Sequence, residues 1–205
     1  MIDFYAGNTP NNQRVAVVLE ELALPYRLHK IDVLKGGAKT PEFLHLNPNG
    51  LSPVIIDADG PSNKPLTVTQ SWLICLYLAD KAKRFVPADG LPRLRVLEML
   101  FHVATDVMTP HTTHNALSRF APEKVPSIID FYEQRIVSAL QNLDRQLRES
   151  EYLAGELSVA DFAFYPIYHR RRGLVDGRTD FAELRRWGRT MDARPACKRG
   201  VEVTQ

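Results

Sequence analysis

Cysteine is scarce in this chain: Cys75 and Cys197 are the two in 205 residues. That is too few for a disulfide framework, and they form no CxxC pair. The six histidines offer no zinc spacing beside them. No apolar run reaches the roughly 18 residues that a membrane-spanning helix needs. Charge of one sign is also missing. A net charge of +2 makes no case for nucleic acid or an anionic membrane as a partner. The opening MIDFYAG reads as a strand and lacks the basic and apolar regions of a leader, so the expected location is cytoplasmic. What is present is ordinary for a globular protein: 24% charged and 44% hydrophobic residues, with length enough for one or two domains and a sizeable core.

Periodicity divides the chain in two. Residues 2 to 6 (IDFYA) predict a strand. The polar turn from Asn8 to Asn12 predicts a helix start capped by Asn11 or Asn12, and the helix VAVVLEELAL is expected to end at Pro25. Tyr26 to Val33 predicts a second strand, and Lys35-Gly36-Gly37 a loop. Pro41 to Leu46 predicts a short helix with Thr40 as cap. Two strands, Val54 to Asp57 and Leu66 to Val68, flank a turn, and a helix follows over 69 to 82. This β-α-β-α-β-β-α order predicts a right-handed βαβ unit plus a hairpin and covering helix.

From Leu91 the pattern is helical throughout. LRVLEMLFHVATDVM and Val125 to Glu149 predict long amphipathic helices. SVADFAFYPIYHR opens on a capping box of Ser158 and Asp161, with Leu157 as its staple. Leu184 to Met191 predicts the last helix, stopped near Pro195. The expected organisation is therefore an α/β domain at 1–82, a linker at 83–90 and an all-α domain at 91–205. Cys75 is expected in the core with Phe101, Phe164, Tyr165 and Tyr168. Cys197, His111 and His114 are expected at the surface, and the C-terminal arginines on a solvated face.

The most informative stretch is LNPNGLSPVIID with LTVTQSWLICLYLAD. Proline at the start of a strand leaves a backbone edge outside the ladder. If Ser52-Pro53 is cis, that edge can pair with an extended ligand. Ser71, at the start of the next helix, offers a hydroxyl and free N–H groups to a carboxylate. Together these features predict a site for a small peptide with a free acid end.

The order DFYAGNTPNNQRVAVVLEEL, KGG, PEF, NPNG, the Ser-Pro strand start and LSVADFA resembles the cytosolic glutathione transferases along the whole chain. It is most similar to the nu class and the fungal prion-like branch. The resemblance implies a thioredoxin-like domain that holds glutathione as co-substrate, followed by the helical domain that shapes a second-substrate pocket around MTPHTTHNALSRF. It implies Thr9 and Asn11 as partners of the glutathione thiolate, in place of the Tyr, Ser or Cys of other branches. Because the turn lacks Cys, glutathione itself would carry the sulfur chemistry. It also implies glutathione contacts from Lys39, Ser52, Pro53, Gln70 and Ser71, with Arg135 offered in place of an arginine where Phe131 stands. Ala38 and Gln70 depart from the usual Gln and Glu. No metal is implied. The implied activity is glutathione-dependent disulfide reduction in a homodimer; conjugation to electrophiles and non-catalytic binding remain as alternatives.

Overall fold

The computed structural model describes residues 1–204. Strand β1 (Ile2–Ala6) turns Ile2, Phe4 and Ala6 into the core and leaves Asp3 and Tyr5 half-buried, the period-2 alternation of a strand with unequal faces. It pairs in parallel with β2 (Tyr26–Lys30), Phe4 opposite Leu28. On its other side it runs antiparallel to β3 (Val54–Asp57), which pairs with β4 (Leu66–Thr69). The sheet order is β2-β1-β3-β4, a thioredoxin-like arrangement. Helices α1 (Pro10–Leu22), α2 (Pro41–Leu46) and α3 (Ser71–Ala82) complete this half.

Several boundaries differ from the sequence expectation. Thr9, not Asn11 or Asn12, caps α1: its side chain accepts from the Asn12 N–H, and Pro10 takes the first helical position. The helix ends before Pro25, because Ala23 adopts the left-handed conformation and returns its N–H to the last turn. β2 stops at Lys30, three residues early, and Gly37–Lys39 forms a single 3₁₀ turn. Helix α3 starts at Ser71, with Gln70 as its cap.

The rest is helical. α4 (Gly90–His102) runs through a wide π turn (Val103–Val107) into α5 (Met108–Asn115) and a second π turn (Ala116–Phe120). Then come α6 (Pro126–Gln146), α7 (Val159–Asp176), α8 (Ala182–Asp192) and α9 (Pro195–Glu202). α9 is an element the sequence reading missed. Pro195 begins it instead of ending α8, because a proline at the first position gives up an N–H the helix would not use.

The main hydrophobic core runs from Ile2 and Phe4 through α1 to Trp187 and Val201. Asp161, fully buried, accepts from the N–H groups of Leu153 and Ser158 at 3.0 Å each, the Ser158 hydroxyl at 3.1 Å and Trp187 Nε1 at 2.8 Å. The expected capping box is thereby extended into a clamp on α8. Phe164, Tyr165 and Tyr168 are buried as expected, but Phe101 is 63% exposed. Val96, Met99, Leu100 and Val103 face the core and turn Phe101 outward.

Cys197 is buried, not exposed. α9 presses against α1, and the thiol donates to Glu21 Oε1 at 3.4 Å. Glycine at position 200 permits this contact: a Cβ there would lie 2.4 Å from Val17 Cα. The C-terminal arginines are paired as well as solvated. Arg172 binds Asp192, Arg186 binds Glu183 and three carbonyls, and Arg194 holds Glu21 at 2.6 Å. No helix among the described residues is long and apolar enough to cross a membrane.

Candidate functional site

The turn after β1 places Thr9, Pro10 and Asn11 in the lining of a cleft of about 1070 Å³. Its sheet-side wall is Ala6 to Asn8 with Lys30 to Leu34; its helical wall comes from α5, the second π turn and α7. π turns recur at functional sites because they displace side chains from the regular helical pattern. The expected pocket segment does line this cleft, through Met108, His111, His114, Asn115 and Arg119.

Thr9 is held by its neighbours. The Asn12 side-chain amide donates to Thr9 Oγ1 at 2.7 Å and to Ser52 Oγ at 3.1 Å. With the amide so oriented, Thr9 Oγ1 accepts from Asn12 twice and keeps its own proton free to donate. The hydroxyl also sits at the positive end of α1. Asn11, half-buried, lines the same cleft. Asn12, buried and read from the sequence only as a candidate cap, thus couples the turn to the Ser52-Pro53 bond, which is cis. Ladder pairing begins at Val54, leaving Ser52 and Pro53 beyond it.

One turn further along α1, Arg14 is fully buried. Its guanidinium donates to Ser71 Oγ at 3.0 Å, to the Ala163 carbonyl at 3.2 Å and to Met108 Sδ at 3.6 Å, and it lies 3.7 Å over the Trp72 ring. No carboxylate pairs with it among the described residues. Burial lowers its pKa to about 9, the nearby Cys75 pulling the other way, so it stays charged at neutral pH. A buried cation without a counter-charge is expensive unless something anionic visits. The sequence carried a signal for it: an arginine stands at helical spacing from Val17 and Val18, on a face that is otherwise core. Beside Ser71, Gln70 holds φ 69°. That is the left-handed region for a residue with a Cβ, strain of a kind that collects at ligand sites.

Lys39 is exposed and donates to the Asn49 carbonyl at 3.2 Å, across the NPNG turn. Ala38 is buried in a small cluster with Phe43 and Val54. Asn12 thus ties Thr9 to Ser52, beside Pro53, and Arg14 on the same helix ties α1 to Ser71, beside Gln70; Asn11 lines the cleft next to Thr9. Arg135 is not brought to them. It shares the exposed face of α6 with Phe131, 5.9 Å over that ring, and does not line the cleft. The cleft's arginines are Arg119, which comes from the expected pocket segment, and Arg170 and Arg171, which the sequence reading did not assign to it.

His111 is buried, against expectation. Its Nδ1–H donates to the Val107 carbonyl at 2.7 Å, leaving Nε2 unprotonated and without a partner among the described residues. Burial, then the charges of Arg171 and His114, lower its pKa to about 4, with the bond to Val107 acting in the opposite sense. Above pH 6.5 the ring is neutral in both folded and unfolded chains, so titration adds nothing. Below 6.5 the unfolded chain binds the proton first and stability falls until about pH 4. Urea unfolding of a His111→Asn variant is expected to lose less stability than the parent chain between pH 6.5 and 4. Parallel curves would remove the buried neutral imidazole from the account.

Both thiols are buried. Burial lifts Cys75 to about 12, and burial together with Glu21 lifts Cys197 further. Neither supplies a thiolate nucleophile.

A family model for the N-terminal domain of glutathione S-transferases matches residues 9–81. Escherichia coli disulfide-bond oxidoreductase YfcG is 33% identical over 201 residues, covering 96% of this chain and 92% of its own length. Schizosaccharomyces pombe glutathione S-transferase 2 is 30% identical, covering 97% and 93%. Among solved structures, a Pseudomonas fluorescens glutathione transferase family member with two glutathione bound superposes with a TM-score of 0.90. It is 30% identical and covers 98% of this chain and 92% of its own. Glutathione transferase URE2P6 from Phanerochaete chrysosporium, in complex with oxidized glutathione, gives 0.89 at 32% identity, covering 99% and 96%.

Proposed function

Since this chain belongs to the glutathione S-transferase family, we propose that it binds glutathione along the cis-proline edge and uses the bound thiolate to reduce small disulfides. The observation that carries this reading is the Thr9 hydroxyl. It stands at the start of α1 and in the lining of the cleft, with its proton uncommitted, in a chain whose own thiols are buried. A free thiol has a pKa near ~8.5, and each unit of lowering needs about 1.4 kcal/mol of preference for the anion. One hydroxyl donor at a helix start is of that order.

In this reading the Ser52 backbone pairs with the cysteinyl residue of glutathione. The γ-glutamyl carboxylate sits at Ser71, where Arg14 supplies the counter-charge from behind, and Gln70 accepts from the ammonium. Lys39, beside the Asn49 carbonyl, meets the glycyl carboxylate, and Asn11 assists Thr9. Arg135, exposed on α6, has no part in it. Residues 1–82 form the glutathione domain, 83–90 the linker and 91–205 the domain of the second pocket. The exposed apolar side chains Leu73, Leu91, Leu94 and Phe131 support a homodimer; a monomer mass by light scattering would remove that part.

The test is reduction of 2-hydroxyethyl disulfide by glutathione, coupled to glutathione reductase and NADPH. Turnover is expected. A second reading, conjugation to an electrophilic carbon, draws on the apolar lining of Met108, Ile167 and Phe120. Turnover of 1-chloro-2,4-dinitrobenzene with no disulfide reduction would put it first. Glutathione binding with neither activity would leave a binding protein.

A further inference from the structure

The helical wall of the cleft gathers positive charge and, among the described residues, carries no lining carboxylate of its own. Arg119, Arg170 and Arg171 line it together with His114. Among the described lining residues the one carboxylate is Asp32, on the opposite wall, and Lys35 already pairs with it at 3.3 Å. Arg170 donates to the Asn8 carbonyl and Oδ1 at 3.2 and 2.8 Å and to Gln13 Oε1 at 3.5 Å. Arg171 donates to His114 Nδ1 at 3.4 Å. The acceptors of Arg170 are neutral carbonyl and amide oxygens, and none of the bonds made by the two guanidinium groups is to a carboxylate: they fix the groups in place and leave their charge intact. Arg119, on the second π turn, is exposed and has no hydrogen-bond or ion-pair partner among the described residues. Burial, and then the charge of Arg119, disfavours the protonated forms of Arg170 and Arg171; Glu133, outside the cleft lining, partly offsets this at Arg171.

We infer that the second-substrate half of the cleft selects disulfides whose leaving thiol carries a carboxylate, and that Arg119 is the residue that sets this preference. Arg170 and Arg171 are held by bonds to the fold, so they provide a fixed field. Arg119 alone is free to meet a carboxylate with two parallel N–H donors. An anion placed among the three relieves their mutual repulsion, which a neutral ligand cannot do.

This inference rests on the disulfide-reduction reading. The bound glutathione thiolate attacks one sulfur of the disulfide, a new S–S bond forms to glutathione, and the old S–S bond breaks. The departing carboxylate-bearing thiolate takes a proton from water. A second glutathione thiolate then displaces the remaining half, so one disulfide is reduced to two thiols and two glutathiones are oxidised to glutathione disulfide.

The experiment compares kcat/KM for three probes: 3,3′-dithiodipropionate (two carboxylates), 2-hydroxyethyl disulfide (neutral) and cystamine (two ammonium groups). Each value is divided by the probe's uncatalysed exchange rate with glutathione, because leaving-thiol pKa alters intrinsic reactivity. The dicarboxylate is expected to exceed the neutral probe by about tenfold, with cystamine last. Raised salt should narrow the spread. In Arg119→Glu the order should reverse, chiefly through KM. Equal normalised values in the parent chain, or an order unchanged in Arg119→Glu, overturn the inference while leaving disulfide reduction standing. No turnover of any probe overturns the disulfide reading and the inference with it.

Discussion

Replacing Thr9 by valine should lower kcat/KM for disulfide reduction by about 100-fold, the scale seen when one donor to a developing or resident anion is removed. Valine preserves the shape of threonine but can neither donate to the glutathione thiolate nor accept from Asn12. Loss of the helix cap should cost about 1 kcal/mol of stability, far too little to unfold a domain of ordinary stability. The two effects separate by pH. Without the donor, the bound thiol's pKa should rise, so the variant's rate deficit shrinks as pH approaches 9, whereas a folding defect would persist across the range. Thr9→Ser should restore most of the activity. Asn12→Asp supplies a second arm: a carboxylate can only accept, so it would draw the Thr9 proton away and repel the thiolate. If Thr9→Val keeps the parent pH profile and rate, Thr9 is a cap and nothing more.

Arg14→Met should weaken glutathione by about 30-fold, near 2 kcal/mol, the order of a hydrogen bond to a charged group. Arg14 is buried and cannot touch the ligand; it is a positioning residue that acts through Ser71 Oγ at 3.0 Å. Its guanidinium is held by neutral partners, so the folded chain without ligand gains little from the charge. Replacing a buried ion by an apolar residue of similar volume is often neutral for stability. The expected signature is a raised KM for glutathione, with the unfolding midpoint in urea little changed. A glutathione analogue lacking the γ-glutamyl α-carboxylate isolates the cause: parent and variant should bind it alike, since the interaction removed belongs to that carboxylate. If the variant loses the analogue as severely as glutathione, Arg14 shapes the site without supplying its counter-charge.

Much of this protein was legible in its sequence where local chemistry and global fold agree. Ile2, Phe4 and Ala6 alternate, Thr40-Pro41 opens a helix, and Ser158 with Asp161 forms a capping box; each is a short-range pattern with one good structural solution. The Ser-Pro strand start and the Ser71 helix start were visible for the same reason. The misreadings cluster where a residue's setting depends on a distant segment. Pro195 looks like a stop until α1 is present for α9 to pack against. Cys197 looks exposed until Glu21 is brought to it, and His111 until α6 packs against α5. Phe101 looks like core until its helix neighbours claim the inward face.

The sequence by itself determined the order of strands and helices short of α9, the thioredoxin-like half followed by a helical one, and the turn from which Thr9 and Asn11 project. Those follow from period, caps and proline, all settled within a few residues of chain. Only the tertiary structure decided which side chains share a site. It joined Asn12 to Ser52 and Arg14 to Ser71 across 40 and 57 residues. It left Arg135 on an outer face and gathered Arg119, Arg170 and Arg171 on one wall of the cleft. Charge and hydrogen-bond reach are properties of distance in space, and the distances between these groups are set by how α1, α5 and α7 pack.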